Sequence, residues 1–131
     1  MTVFHLPPTK ETPEILIDEE NLRFSMSGES YPENAMTFYG PVRNQLATLL
    51  TLPGVAAHGL EAHFNLRYFN SSSTKLIRAL VGMLQRRAEG GSKIVLQWQH
   101  DPEDDMMAEF GEDLRDEFNA IDFHLIEVES A

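Results

Sequence analysis

Between Leu60 and His100 the sequence passes through one complete cycle of patterns. Leu60, Ala62, Phe64, Leu66 and Tyr68 alternate with Glu61, His63, Asn65 and Arg67, the period of a strand with one buried and one wet face. Asn70-Ser71-Ser72-Ser73-Thr74 interrupts that alternation with five side chains that bond locally to backbone. From Lys75 to Ala88 the apolar residues Leu76, Ile77, Leu80, Val81, Leu84 and Ala88 fall into one helical stripe, which Glu89-Gly90-Gly91 ends with the glycines of a left-handed cap. Ser92 to His100 alternates again, with Ile94, Leu96 and Trp98 inward and Lys93, Val95, Gln97 and Gln99 outward. A strand–helix–strand unit of this kind joins parallel neighbours by a crossover. It predicts a sheet whose central parallel pair is Leu60–Phe69 and Ser92–His100.

The flanking segments complete an α+β fold, a mixed sheet with helices mainly on one face. Glu14–Asp18 and Leu22–Ser27 read as two short strands of a hairpin, with Glu19-Glu20-Asn21 as the turn. Ser30 has the chemistry of a helix cap and Pro32 suits a first turn, so a helix is expected from there to about Leu52. Gly40-Pro41 in its middle predicts a kink or a break into two helices, and Pro53-Gly54 an end. Asp101–Asp105 is an acidic connector, Met106–Phe118 a last helix and Ala120–Val128 a last strand. Residues 1–13 hold three of the seven prolines and show little periodicity. They read as an arm laid along the surface, with 14–131 as a single domain, a length that leaves little room for a second core.

Composition narrows the function. With 10 Lys+Arg against 21 Asp+Glu the formal charge is −11, a field that repels nucleic acid and anionic lipid. Lys75, Arg78, Arg86 and Arg87 form the basic cluster, and they fit a solvated helix face. No apolar run approaches a membrane span, and no charged-then-apolar start reads as a signal peptide, so the cytoplasm is the expected compartment. The absence of cysteine removes disulfides, thiol nucleophiles and Cys-type metal sites. None of the five histidines falls at a metal-ligand spacing, and no nucleophile elbow, phosphate loop or dinucleotide fingerprint occurs. His100-Asp101 and the Asp101, Glu103, Asp104, Asp105 run carry groups that could ligate a cation. A strand end and a solvated acidic loop serving the next helix fit them better. No cofactor is expected.

Asn70–Thr74 is where chemistry fits best. One reading is a helix cap with spare serines. The other is a phosphate acceptor or docking point, since unpaired N–H groups at a helix start favour a phosphate, and Lys75 and Arg78 follow one and two turns on. A small hydrolase or metal-dependent enzyme using Ser71 or the Asp101–Asp105 region is the alternative of another class. It would need a base or ligand set that the sequence does not supply.

Ser30-Tyr31-Pro32-Glu33-Asn34, Phe38-x-Gly40 and Tyr68-Phe69-Asn70-Ser71-Ser72-Ser73-x-Lys75 together resemble the SiaC family. So do Gly90-Gly91, Val95-x-x-Trp98 and Met107-x-Glu109-x-Gly111-Glu112-Asp113, and the likeness runs from about Pro13 to Glu127. The resemblance implies a fold similar to the STAS class of anti-sigma-factor antagonists and a non-enzymatic role in a partner-switching circuit of signal transduction. In that circuit a Ser/Thr protein kinase phosphorylates the family member and a metal-dependent phosphatase reverses it. The unmodified form binds and activates a GGDEF diguanylate cyclase, raising cyclic di-GMP and favouring biofilm. Carried onto this chain, the resemblance makes Ser71 the acceptor, where the family often has Thr. Ser72 and Ser73 are alternative acceptors, and Tyr68, Asn70, Lys75 and Arg78 are partner contacts.

Overall fold

The computed structural model describes residues 3–129, so the ends of the expected arm and of the expected domain, residues 1–2 and 130–131, lie outside the described residues. Six strands form one sheet: β1 (Val3–Leu6), β2 (Glu14–Asp18), β3 (Arg23–Ser30), β4 (Leu60–Phe69), β5 (Ile94–His100) and β6 (Asp122–Glu127). Their spatial order is their order along the chain. β1, β2 and β3 pair antiparallel, and β3 to β6 pair parallel. Helices α1 (Ala35–Leu50) and α2 (Pro53–His58) lie between β3 and β4, α3 (Ser71–Glu89) between β4 and β5, and α4 (Asp105–Glu117) between β5 and β6. Each crossover steps to the next position in the same direction. With one handedness common to such crossovers, the helices collect on a single face of the sheet.

That face is the core. Register aligns Ile15, Met26, Phe64 and Trp98 across four strands, and all four are buried. Tyr39, Val42, Leu46 and Leu49 of α1, Ile77, Leu80, Val81 and Leu84 of α3, and Leu114 of α4 are sealed from solvent within the same cluster. The opposite face carries the row Leu16, Ser25, His63, Gln97 and His124. It is polar and stays wet, as the alternating pattern requires.

The expected central pair is present, with β4 at the bounds read from sequence and parallel to β5. Several local details differ from expectation for physical reasons. Val3–Leu6, expected within a surface arm, is the edge strand of the sheet, because four residues are too few to display a period. Ser30 does not cap α1 but ends β3 with its side chain buried; the cap is Asn34, whose Oδ1 accepts from the Thr37 amide. Pro41 does not break α1, since Thr37 and Pro41 are both exposed and water can take the carbonyl that proline leaves unpaired. Pro53 opens the short helix α2, which the sequence reading missed, where its fixed φ suits a first helical position.

α4 is held to the sheet by Trp98. The indole stacks on Phe64, meets Phe110 at 5.6 Å, and donates from Nε1 to the Met107 carbonyl at 3.0 Å. Gly111, one turn beyond Met107, lets the helix backbone approach the ring: a Cβ there would stand 2.4 Å from Trp98 Cδ1.

Candidate functional site

The parallel strands end at one edge, and the segment expected to carry chemistry lies there, directly after β4. α3 begins at Ser71, one turn earlier than its apolar stripe suggests. Asn70 is the N-cap, in extended conformation, and its Oδ1 accepts from the Ser73 amide at 2.9 Å. A cap of this kind is worth about 1 kcal/mol, so the cap reading of Asn70 is correct. It does not use up the serines. Ser71 and Ser72 are exposed. Their amides belong to the first helical turn, whose N–H groups have no partner within the helix.

Ser73, an alternative acceptor by the family resemblance, is fully buried. Ser30 Oγ donates to Ser73 Oγ at 2.8 Å and lies 2.6 Å from Tyr39 Oη. Sequence reasoning missed both partners, since a serine and a tyrosine dozens of residues away give no local sign of the contact. Burial pushes the Tyr39 hydroxyl up to about 12, against the smaller opposing effect of its bonds to Ser30 and Ser73. The folded state therefore keeps this proton while an unfolded tyrosine, near pH 10, releases it. Stability from this group is complete below pH 10 and is lost as the pH rises from 10 through 12, by about 2–3 kcal/mol. Tyr39→Phe should remove that loss, which denaturant titrations of both proteins at pH 9 and pH 11.5 would reveal. Equal alkaline losses in the two would place the effect elsewhere.

Tyr68 also departs from expectation. The alternation of β4 placed it on the buried face, yet it is 50 % exposed. The cause is a β-bulge: Gly28 pairs Leu66 but Glu29 pairs Tyr68, so Arg67 is an extra residue. Gly28, at φ +116°, takes a conformation a side chain would resist. From there the phase of β4 is reversed. Phe69 turns inward, edge-on to Phe110 at 4.8 Å, and Tyr68 turns outward against Tyr31 at 5.9 Å. Re-aiming a side chain at the rim of a site is a common use of a bulge. The sequence sign was Gly28, one residue past the expected end of that strand, which β3 in fact runs through to Ser30.

Ser71 occupies a ridge between two grooves. One, of about 470 Å³, is lined by Glu33, Asn34, Met36, Ser72, Lys75 and Leu76. The other, of about 450 Å³, is lined by Tyr68, Phe69, Thr74, Met106, Met107 and Phe110. Ser71 borders both, and neither lining includes a histidine. Among the described residues the exposed large hydrophobics are Val3, Met36, Tyr68 and Met106. Three of these four border the two grooves, with Met36 65 % and Met106 81 % exposed.

The remaining expected residues divide. Lys75 is exposed, one turn after Ser71 and beside the first groove. Arg78 is engaged elsewhere, in an ion pair with Glu117 and over the Phe118 ring at 5.9 Å, tying α3 to α4. His100 is buried and its Nδ1 lies 3.0 Å from the Asp101 carbonyl. Asp101 Oδ1 accepts from the Glu103 amide, and Asp104 caps α4 by accepting from the Met107 amide. Among the described residues no three His, Asp or Glu side chains gather as a metal site would require, and no helix is long and apolar enough to cross a membrane.

Residues 6–128 match the SiaC family of regulatory phosphoproteins. An uncharacterized protein of Pseudomonas aeruginosa (strain UCBPP-PA14) is 32% identical over 117 residues, covering 89% of this chain and 90% of that one. The crystal structure of apo-SiaC from Pseudomonas aeruginosa matches with a TM-score of 0.79 at 31% identity, over 99% of this chain and 100% of the other. A chain in the crystal structure of the diguanylate cyclase SiaD in complex with its activator SiaC, from the same organism, matches with a TM-score of 0.83 at 30% identity, over 97% and 99% of the two.

Proposed function

Since the chain belongs to the SiaC family of regulatory phosphoproteins, we propose that it is a non-enzymatic switch whose unmodified form docks through the surface around Ser71 and activates a GGDEF diguanylate cyclase. A Ser/Thr kinase places a phosphate on Ser71 and a metal-dependent phosphatase removes it. The likeness to a protein crystallised as the activator of a diguanylate cyclase supports the choice of effector. The observation that carries the docking site is the gathering of Met36, Tyr68 and Met106 on either side of the exposed Ser71. Solvent-facing apolar side chains scattered singly need no explanation; a group of them around a modifiable hydroxyl marks a contact surface.

Lys75 then has a role in each state. In the free phosphoprotein it lies one turn from the phosphate and pairs with it, and in the complex it contacts the partner. Tyr68 supplies an apolar face with a polar tip, and Asn70 holds the acceptor in place as the cap. Arg78 contributes by fixing α4 against α3. The switch acts in the cytoplasm, where its cyclase signals.

Peptide mapping by mass spectrometry of the protein purified from its own cells tests the acceptor. A phosphate on Ser71 in a substantial fraction of molecules is expected, and treatment with a metal-dependent phosphatase should restore binding to the cyclase. A chain free of phosphate under every growth condition would remove the switch.

A further inference from the structure

Both ends of the segment carrying Ser71 are attached to one residue. The Asn70 amide donates to the Ser30 carbonyl at 3.0 Å, and the Ser30 hydroxyl donates to Ser73 Oγ at 2.8 Å. With that proton so placed, the 2.6 Å contact between Ser30 Oγ and Tyr39 Oη is completed by the tyrosine proton. Ser30, Tyr39 and Ser73 are all 0 % exposed. The chain of three hydroxyls thus links the end of β3, the first half of α1 and the first turn of α3, while Ser71 and Ser72 between the attached residues face solvent.

Helix geometry turns this attachment into a choice of acceptor. Residues of an α-helix advance by about 100° each, so Ser71 stands roughly 200° from Ser73. Fixing Ser73 inward therefore turns Ser71 nearly straight outward and leaves Ser72 between them. Three linked hydroxyls are a poor device for stability alone, because apolar residues of the same shape would serve about as well. A satisfied buried polar network instead admits one arrangement and penalises its neighbours, since any rotation of the turn orphans a buried hydroxyl.

We infer that Tyr39, Ser30 and Ser73 are positioning residues that set the rotational phase of the first turn of α3, presenting Ser71 to modifying enzymes and withholding Ser73. This rests on the reading of Ser71 as the acceptor. Because Tyr39 belongs to α1, the same network fixes Met36 and Asn34, one turn earlier on that helix and at its cap, against the acceptor across the first groove.

The experiment compares full-length wild type, Ser73→Ala and Tyr39→Phe by amide hydrogen exchange, with phosphosite mapping of each protein expressed in its own cells. Exchange of the Asn70, Ser73 and Thr74 amides should quicken roughly five- to tenfold in both variants, the effect of one lost hydrogen bond, while amides of β4 and β5 change far less. Phosphate should spread from Ser71 to Ser72. The Tyr39→Phe result is the sharper, since that residue lies more than thirty positions away in sequence and keeps its ring. Acceleration spread evenly through the core would show a purely structural role and overturn the inference, as would phosphate confined to Ser71 in both variants. A wild type without phosphate on Ser71 would overturn the acceptor reading and, with it, the choice of acceptor, leaving the exchange rates to decide whether the attachment exists.

Discussion

Phosphorylation of Ser71 is expected to weaken binding to the diguanylate cyclase a hundredfold or more while leaving the melting temperature almost unchanged. The modification adds about −1.5 to −2 charge at neutral pH. In the free protein that charge sits at the start of α3, where first-turn N–H groups face it and Lys75 lies one turn away, so the fold has no reason to move. In the complex the same charge would stand among Met36, Tyr68 and Met106, pressed against the partner. Leaving it buried and unpaired costs several kcal/mol, and each 1.4 kcal/mol is about tenfold in affinity. Ser71→Ala should bind like the unmodified protein and resist the kinase. Ser71→Asp should fold normally and bind weakly, although it carries only part of the phosphate charge. Calorimetric titration of the cyclase with each variant and with purified phosphoprotein, beside thermal melts, settles the point. Wild-type affinity in the phosphoprotein would reduce Ser71 to a passive neighbour of the cap.

The largest effect on stability is expected at Gly111. Gly111→Ala places a methyl group 2.4 Å from Cδ1 and 2.8 Å from Nε1 of Trp98, well inside contact distance. The ring cannot yield easily, being buried between Phe64 and Phe110 with its Nε1 bonded to the Met107 carbonyl. Either α4 lifts from the sheet or the indole tilts and loses that bond. Overpacking of about 1–3 kcal/mol and a hydrogen bond of about 1 kcal/mol together suggest a loss near 3 kcal/mol. For a domain of this size that is a fall in melting temperature on the order of 10 °C. Glycine is a poor helix former, so at an open position the same change would stabilise by up to about 1 kcal/mol. A melt unchanged or raised would show that α4 does not sit against Trp98 as described.

The regular parts of this fold could be read from sequence because their information is local. The alternation of β4 and β5 and the apolar stripe of α3 each report a buried face within a few residues. What escaped depends on distant partners. Arg67 becomes the extra residue of a bulge only by its register against Gly28 and Glu29, and the alternation of β4 runs on in the sequence as though nothing had shifted. Ser30 has the composition of a cap whether or not it is one; the hydroxyls of Tyr39 and Ser73 decide its role. The site was legible in the same uneven way. Local chemistry marked Asn70–Thr74 as a helix start suited to phosphate, and the family resemblance selected Ser71. Ser73 is held inward by a bond from Ser30, 43 residues away, which no local pattern shows. Met36 and Met106 gave no sign that they face solvent, since methionine at helical spacing is the ordinary mark of a core.

A sheet whose spatial order repeats its chain order also bears on how the protein is made. A chain leaving the ribosome meets no strand that must wait for a later one to be inserted beside it. The β2–β3 hairpin closes over a short turn, and β4, β5 and β6 then add in sequence to a growing edge, each with its helix delivered to the same side. Every closure spans one crossover and no more, which keeps the entropy of each step small for a largely parallel sheet, a class that otherwise assembles slowly. The bonds among Ser30, Tyr39 and Ser73 close only when β3, α1 and α3 have met, so the first turn of α3 takes its final setting once the first four strands and that helix are in place.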